Sequence, residues 1–222
     1  MDDPRTAFQE SLKILGPEEL MALCQFREIA LCDDRIPSVL DAVYLFGQMP
    51  ENEKEVLDKG AEMVLSGKAK FVCIPEQFGK GHPAYSEPWC QALIQRGVPI
   101  SKIIILCADS NEEPNTWTEC TVLMYRALTN GWCDVGVIAA TFHQPRSLLT
   151  MISEVLNKKA PLRVWSIPAN SANWGEVITH SSGATTCSRA DMIGPENLRM
   201  ATYDNLVRPS VALRYLQRGR LP

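Results

Sequence analysis

Five short apolar runs follow one another along the chain. They cover residues 41–47, 70–75, 102–108, 135–141 and 162–167. Each run is continuously apolar rather than alternating, which is typical of strands that helices cover on both faces of a sheet. The sequence therefore predicts about five strands in one buried, mostly parallel sheet.

The segments between these runs have a helical pattern. In residues 51–66 the apolar positions recur every three or four residues, and Gly67 ends the pattern. Similar patterns begin near Pro88 and around Trp117, and a fourth helix is predicted to begin at Pro145. Strands that alternate with helices predict an α/β protein with a Rossmann-like, three-layer sandwich.

The pattern also predicts how the domain is organised. We expect one domain over residues 1–222, with an α/β core at residues 41–170. Residues 1–40 are predicted to form a helical N-terminal extension. Residues 171–222 are predicted to contain a loop and C-terminal helices, which Pro209 interrupts.

The composition argues against some classes of binding partner. With 22 basic and 26 acidic residues, the net charge is -4, and the clustered cations that nucleic-acid binding requires are missing. No apolar run approaches the roughly 20 residues that span a bilayer, and the acidic start is unlike a signal peptide. The eight cysteines form no CxxC pair, which favours reduced thiols. We therefore expect a cytoplasmic protein that binds neither nucleic acid nor membrane.

Two basic side chains lie where the fourth strand leads into its helix. Because Pro145 is predicted to be the first helical residue, His143 and Arg146 lie near a helix N-terminus, where the helix dipole disfavours cations. Together with free backbone N–H groups, they would suit a phosphate or carboxylate group of a ligand. The spacing supports equally well a solvated Arg146 and a loop histidine with ordinary partners.

Polar segments also follow the second and third strands, and the carboxyl ends of strands are where α/β sheets bind ligands. Thr116 and Glu119 have the spacing of a capping box, which needs no ligand. Asn115 and Glu119 share one side of the same helical turn, where a carboxylate can exchange a proton or bind a hydroxyl or amine. His82 and Glu87 are further candidates, although a glutamate in a first turn also stabilises the helix dipole.

The sequence motifs of several common enzyme classes are absent from this chain. The glycine-rich dinucleotide and P-loop motifs and the serine nucleophile elbow are missing. The histidines, His82, His143 and His180, have no HxH or HxxxH spacing, so no metal site is predicted.

The order of the motifs resembles the YdcF-like (SanA/ElyC/YdcF) family of bacterial proteins, a domain of unknown function. The run DAVYLFG at residues 41–47 is similar to the family's opening strand. NTWTE at residues 115–119 resembles its Asn-Thr-x-Glu-Asn motif, and TFHQPRS at residues 141–147 resembles its Thr/Ser-x-x-His-x-x-Arg motif. The resemblance extends over residues 41–170. Residues 74–83 and Cys120 depart from the family pattern, which indicates a different ligand.

The resemblance implies a Rossmann-like fold with a polar pocket. Gly47, Glu87 and the turns that carry residues 115–119 and 143–146 would line this pocket. It also implies S-adenosylmethionine as one candidate ligand.

Three functions remain open at this level. The first is binding of a small anionic or nucleoside-like metabolite, with His143 and Arg146 on its anionic part and Glu87, Asn115 and Glu119 on its polar remainder. The second is a hydrolase or transferase that acts on a phosphate ester or related bond, with Glu119 or His143 as general acid or base.

The third function is an interaction scaffold. Residues 170–189 are rich in Ser, Thr and Gly, which predicts a long surface loop that serves as a lid or docks a partner. The sequence leaves the oligomeric state open.

Overall fold

The computed structural model describes residues 3–32, 36–76, 86–107, 115–169, 173–179 and 186–219. The helices are α1 (Pro4–Cys32), α2 (Pro50–Leu65), α3 (Ser86–Gln95), α4 (Thr116–Asn130), α5 (Gln144–Lys158), α6 (Ile193–Thr202) and α7 (Pro209–Gln217), with a 3-10 turn at Ile100–Lys102. The strands are β1 (Leu40–Leu45), β2 (Ala69–Pro75), β3 (Ile103–Leu106), β4 (Asp134–Ile138), β5 (Arg163–Ser166), β6 (Val177–Thr179) and β7 (Thr186–Ser188). Within these ranges, every helix is too short or too polar to serve as a membrane span.

The first five strands form one parallel sheet in the order β3-β2-β1-β4-β5. The predicted fold class, an α/β Rossmann-like sandwich with about five parallel strands, is confirmed. From β1 the chain moves outward through α2 to β2, whereas from β4 it moves in the opposite direction through α5 to β5. The strand order therefore reverses between β1 and β4, and the carboxyl ends of these two central strands border the crevice where such sheets bind ligands.

Helices cover the two faces of the sheet with separate apolar clusters. On one face α2 and α3 contribute Val56 and Leu93 to a core with the sheet. On the other face α1, α4 and α5 contribute Phe26, Leu123 and Ile152. Because both faces are covered, the central strands consist almost entirely of buried residues, which explains their continuously apolar sequence.

The terminal helices pack on the α5 side of the sheet. The helix α1 changes direction at Gly16, whose φ of 69° is in the left-handed region, immediately before Pro17. At the other end Pro209 begins α7, which agrees with the predicted interruption. The Tyr215 hydroxyl accepts a hydrogen bond from Val164 N (3.1 Å) and donates one to Leu162 O (3.0 Å), which ties α7 to β5.

The segment predicted as a long loop over residues 170–189 differs in part from that prediction. Its described residues include β6 and β7, which form an antiparallel hairpin with Ile178 buried. After the hairpin, the buried Arg189 side chain lies 2.8 Å from Glu55 on α2 and 3.0 Å from Glu176. Strands of three residues with one buried apolar side chain leave little pattern in a sequence, so the hairpin was not predictable from periodicity.

Candidate functional site

The candidate site lies where β1 and β4 end. Gly47 and Gln48 follow β1, and His143 follows β4 as the N-cap residue of α5. The first turn of α4 reaches the same region, because a carboxylate on it binds the backbone of Gly47. Three segments that are far apart in sequence therefore meet at the point where the strand order reverses.

The start of α4 is capped differently from the prediction. Asn115, rather than Thr116, is the N-cap residue, and its Oδ1 accepts hydrogen bonds from Trp117 N (2.8 Å) and Thr118 N (3.0 Å). The hydroxyl of Thr118 accepts in return from Asn115 N (3.0 Å), which completes the capping box. Since Glu119 is not needed for the cap, its side chain is available for tertiary contacts.

Glu119 joins α4 to the end of β1. Its Oε1 accepts hydrogen bonds from Gly47 N (2.9 Å) and from the Tyr44 hydroxyl (3.1 Å), whereas its Oε2 makes no hydrogen bond with a described residue. Burial raises the pKa of Glu119 to about 7, although these two donors and the charge of Arg146 lower it. A half-buried carboxyl group with this pKa can both donate and accept a proton at neutral pH.

Arg146 is a buried guanidinium between two helices, with 8% of its surface exposed. Its Nε donates to Glu196 Oε2 (2.6 Å), and its Nη1 donates to the Thr116 hydroxyl (2.8 Å). Its Nη2 makes no hydrogen bond with any residue in the described ranges. Two nitrogens thus fix the orientation of the guanidinium, and the N–H groups of the third nitrogen, Nη2, remain available as donors.

His143 contacts the same carboxylate as Arg146. Its Nδ1 is 3.1 Å from Glu196 Oε2, and its ring lies edge-on to Phe46 with 6.2 Å between the ring centres. Glu196, in the first turn of α6, is 1% exposed and also accepts a hydrogen bond from Arg199 (3.2 Å). A carboxylate of the chain itself therefore lies beside both of the basic residues for which the sequence predicts an anionic ligand group.

Sequence reasoning missed Glu196. The only local signal is a glutamate in the first turn of a helix, which is usually explained by the helix dipole. Its role depends on contacts with α5, about fifty residues earlier in the chain.

Three guanidinium groups lie around Glu196. Arg146 and Arg199 bind it directly, and Arg27 lies close enough for the charge of Glu196 to raise its pKa, although burial lowers that pKa overall. Arg27 donates to Asn197 Oδ1 (2.6 Å), the residue that follows Glu196. Arg146 also lies close enough to Glu119 for its charge to lower the pKa of that carboxyl group, so acidic as well as basic side chains surround this guanidinium.

A cavity of about 360 Å³ opens beside Arg146. It lies between the first turns of α4 and α5 and the segment that links α6 to α7. Its lining includes Asn115, Thr116, Trp117, Arg146, Tyr203 and Asn205. The volume is within the range of pockets that bind small molecules.

The structure brings together most, but not all, of the predicted site residues. Those that meet around the end of β1 and the first turns of α4 and α5 are Gly47, Asn115, Thr116, Glu119, His143 and Arg146. Glu87 is exposed at the start of α3 and makes no hydrogen bond or ion pair within the described part of the chain. His82 lies outside the described residues. No cluster of metal-binding side chains occurs among the residues that the structure describes.

Comparisons of the chain with family models, with curated proteins and with solved structures found no match. The resemblance to the YdcF-like family therefore rests on the sequence motifs and stays a prediction.

Proposed function

We propose that the protein is a cytoplasmic, YdcF-like binding protein for a small anionic or nucleoside-like metabolite, which occupies the cavity beside Arg146. One observation carries this proposal: a buried guanidinium lines the cavity and retains a nitrogen, Nη2, without a partner among the described residues. Buried arginines normally use their donors, and a phosphate or carboxylate would accept from this one.

The surroundings of Arg146 support the same ligand class. Glu196 and Thr116 hold two of its three nitrogens, so little side-chain freedom is left to lose when a ligand binds. Arg199 and Arg27 lie close to the same carboxylate, so Arg146 is not the only cation near Glu196. S-adenosylmethionine, which carries a carboxylate, and phosphorylated metabolites both present a suitable group.

Replacing Arg146 with lysine is expected to weaken ligand binding by roughly 10- to 100-fold, because lysine keeps the charge but cannot form the fixed fork of hydrogen bonds. Binding is measured by thermal shift and calorimetry against nucleotides, S-adenosylmethionine and sugar phosphates. Arg199→Lys is the matched control, since Arg199 binds the same carboxylate but does not line the cavity. Equal affinities of the wild type and Arg146→Lys would overturn the proposal, and so would a panel in which nothing binds.

A specific observation favours a second candidate function, a hydrolase or transferase for a phosphate ester or related bond. Glu119 has a pKa of about 7, which suits a general acid or base, and hydrogen bonds from Tyr44 and Gly47 hold it in place. Turnover with a pH midpoint near 7 that Glu119→Gln removes, without loss of binding, would support catalysis. Tight binding with no turnover of any phosphate ester in the panel would contradict catalysis and would support the binding function only.

A further inference from the structure

Two aromatic side chains line the same cavity as Arg146. Trp117 lies in the first turn of α4 and is half-buried, and Tyr203 directly follows α6 with 46% of its surface exposed. Aromatic side chains at a cavity wall offer flat apolar surface at a low cost in conformational entropy, and planar ligand rings stack on such surfaces.

The cavity also offers polar groups for the edge of a ring. The Asn205 side chain is exposed at the cavity and makes no hydrogen bond within the described ranges. A carboxamide can both donate and accept, which matches the alternating donors and acceptors of a heterocycle.

The ring and the acidic group of a ligand would lie close together. Trp117, Arg146 and Thr116, whose hydroxyl accepts a hydrogen bond from Arg146 Nη1 (2.8 Å), all line this one cavity. The cavity of about 360 Å³ has room for a small molecule rather than a long one.

We infer that the cavity binds a flat aromatic ring joined by a short linker to an acidic group, with the ring against Trp117 and Tyr203. This inference rests on the proposed function, because Arg146 binds the acidic group. Tyr203 and Asn205 belong to the segment between α6 and α7, outside the parallel-sheet core. Trp117 of α4 and the C-terminal segment therefore select the ring together.

Four probes separate the ring from the acidic group: adenosine 5′-monophosphate, ribose 5-phosphate, indole-3-acetate and inorganic phosphate. We expect the better of the two ring-bearing probes to bind at least about tenfold more tightly than ribose 5-phosphate and phosphate. Tyr203→Leu is expected to weaken the binding of that ring-bearing probe about tenfold and to leave the affinity for ribose 5-phosphate unchanged. Tyr125→Leu is the matched control, because Tyr125 is an exposed tyrosine of α4 that does not line the cavity.

The outcomes distinguish this inference from the function on which it rests. If ribose 5-phosphate binds as tightly as both ring-bearing probes and Arg146→Lys weakens the binding of all three, the anion site stands and the ring site is wrong. If none of the four probes binds, this inference is wrong, and the wider panel of nucleotides, S-adenosylmethionine and sugar phosphates decides whether the proposed function is wrong as well. Preference for the nucleotide identifies a phosphate as the acidic group, whereas preference for indole-3-acetate identifies a carboxylate.

Discussion

The Glu196→Ala variant is expected to unfold with a free energy about 3–5 kcal/mol below that of the wild type. Glu196 is 1% exposed and is the carboxylate that Arg146 and His143 share at 2.6 and 3.1 Å. Removing it leaves a guanidinium that is 8% exposed without its charged partner, and a buried charge without its partner is costly. Urea unfolding at pH 7, followed by circular dichroism, measures the difference.

An exposed ion pair of the same chain provides the control. Lys54 and Asp58 are 2.6 Å apart on the surface of α2, with 80% and 45% of their side chains exposed. Lys54→Ala is expected to change the free energy of unfolding by less than about 1 kcal/mol, because water screens such pairs. If Glu196→Ala lowers the free energy of unfolding no more than Lys54→Ala does, the Glu196 carboxylate does not stabilise the buried cations, and another group must do so.

The parallel sheet was predictable because its signal is local. Each of the five strands lies in a short, mainly apolar run, and the inner strands β1, β2 and β4 are mostly buried, which demands such a run. The positions of Gly47, His143 and Arg146 follow from the same pattern, since parallel strands bring their carboxyl ends to one edge. Chain order and periodicity therefore suffice to place these residues near one crevice.

Which side chains form hydrogen bonds with one another at the site was not predictable from chain order and periodicity. Asn115 with Thr118 and Thr116 with Glu119 are both acceptable capping pairs. Tertiary contacts favour the first pair, because Glu119 instead accepts hydrogen bonds from Gly47 and Tyr44, which lie more than seventy residues earlier in the chain.

The same limit applies to the C-terminal part of the site. Glu196 and Tyr203 lie in or beside an ordinary amphipathic helix, and no local pattern distinguishes them from surface residues. The packing of α6 against α1 and α5 brings Glu196 to Arg146 and Tyr203 to the cavity beside it. The packing of α6 therefore involves the same buried guanidinium that we propose as the anion-binding group.

Between pH 4.5 and about 7, the wild-type protein is expected to lose roughly 3 kcal/mol of stability relative to Glu119→Gln. Burial raises the pKa of Glu119 from an ordinary 4.5 to about 7 in the folded protein. The folded state therefore holds this proton more tightly than the unfolded state does. Its stabilising effect is complete below the unfolded pKa and is lost as the pH rises through the folded pKa.

Glu119→Gln isolates this contribution because a carboxamide oxygen can still accept hydrogen bonds from Gly47 N and the Tyr44 hydroxyl but does not titrate. Urea unfolding at intervals from pH 4.5 to 8 should therefore give two curves that separate as the pH rises, with the variant more stable at pH 8. Tyr44→Phe removes a donor that lowers the pKa of Glu119, so its curve should continue to fall at higher pH than the wild-type curve. Parallel curves for the wild type and Glu119→Gln would mean that Glu119 is ionised in the folded protein across this range, and the acid–base role proposed for it would lose its physical basis.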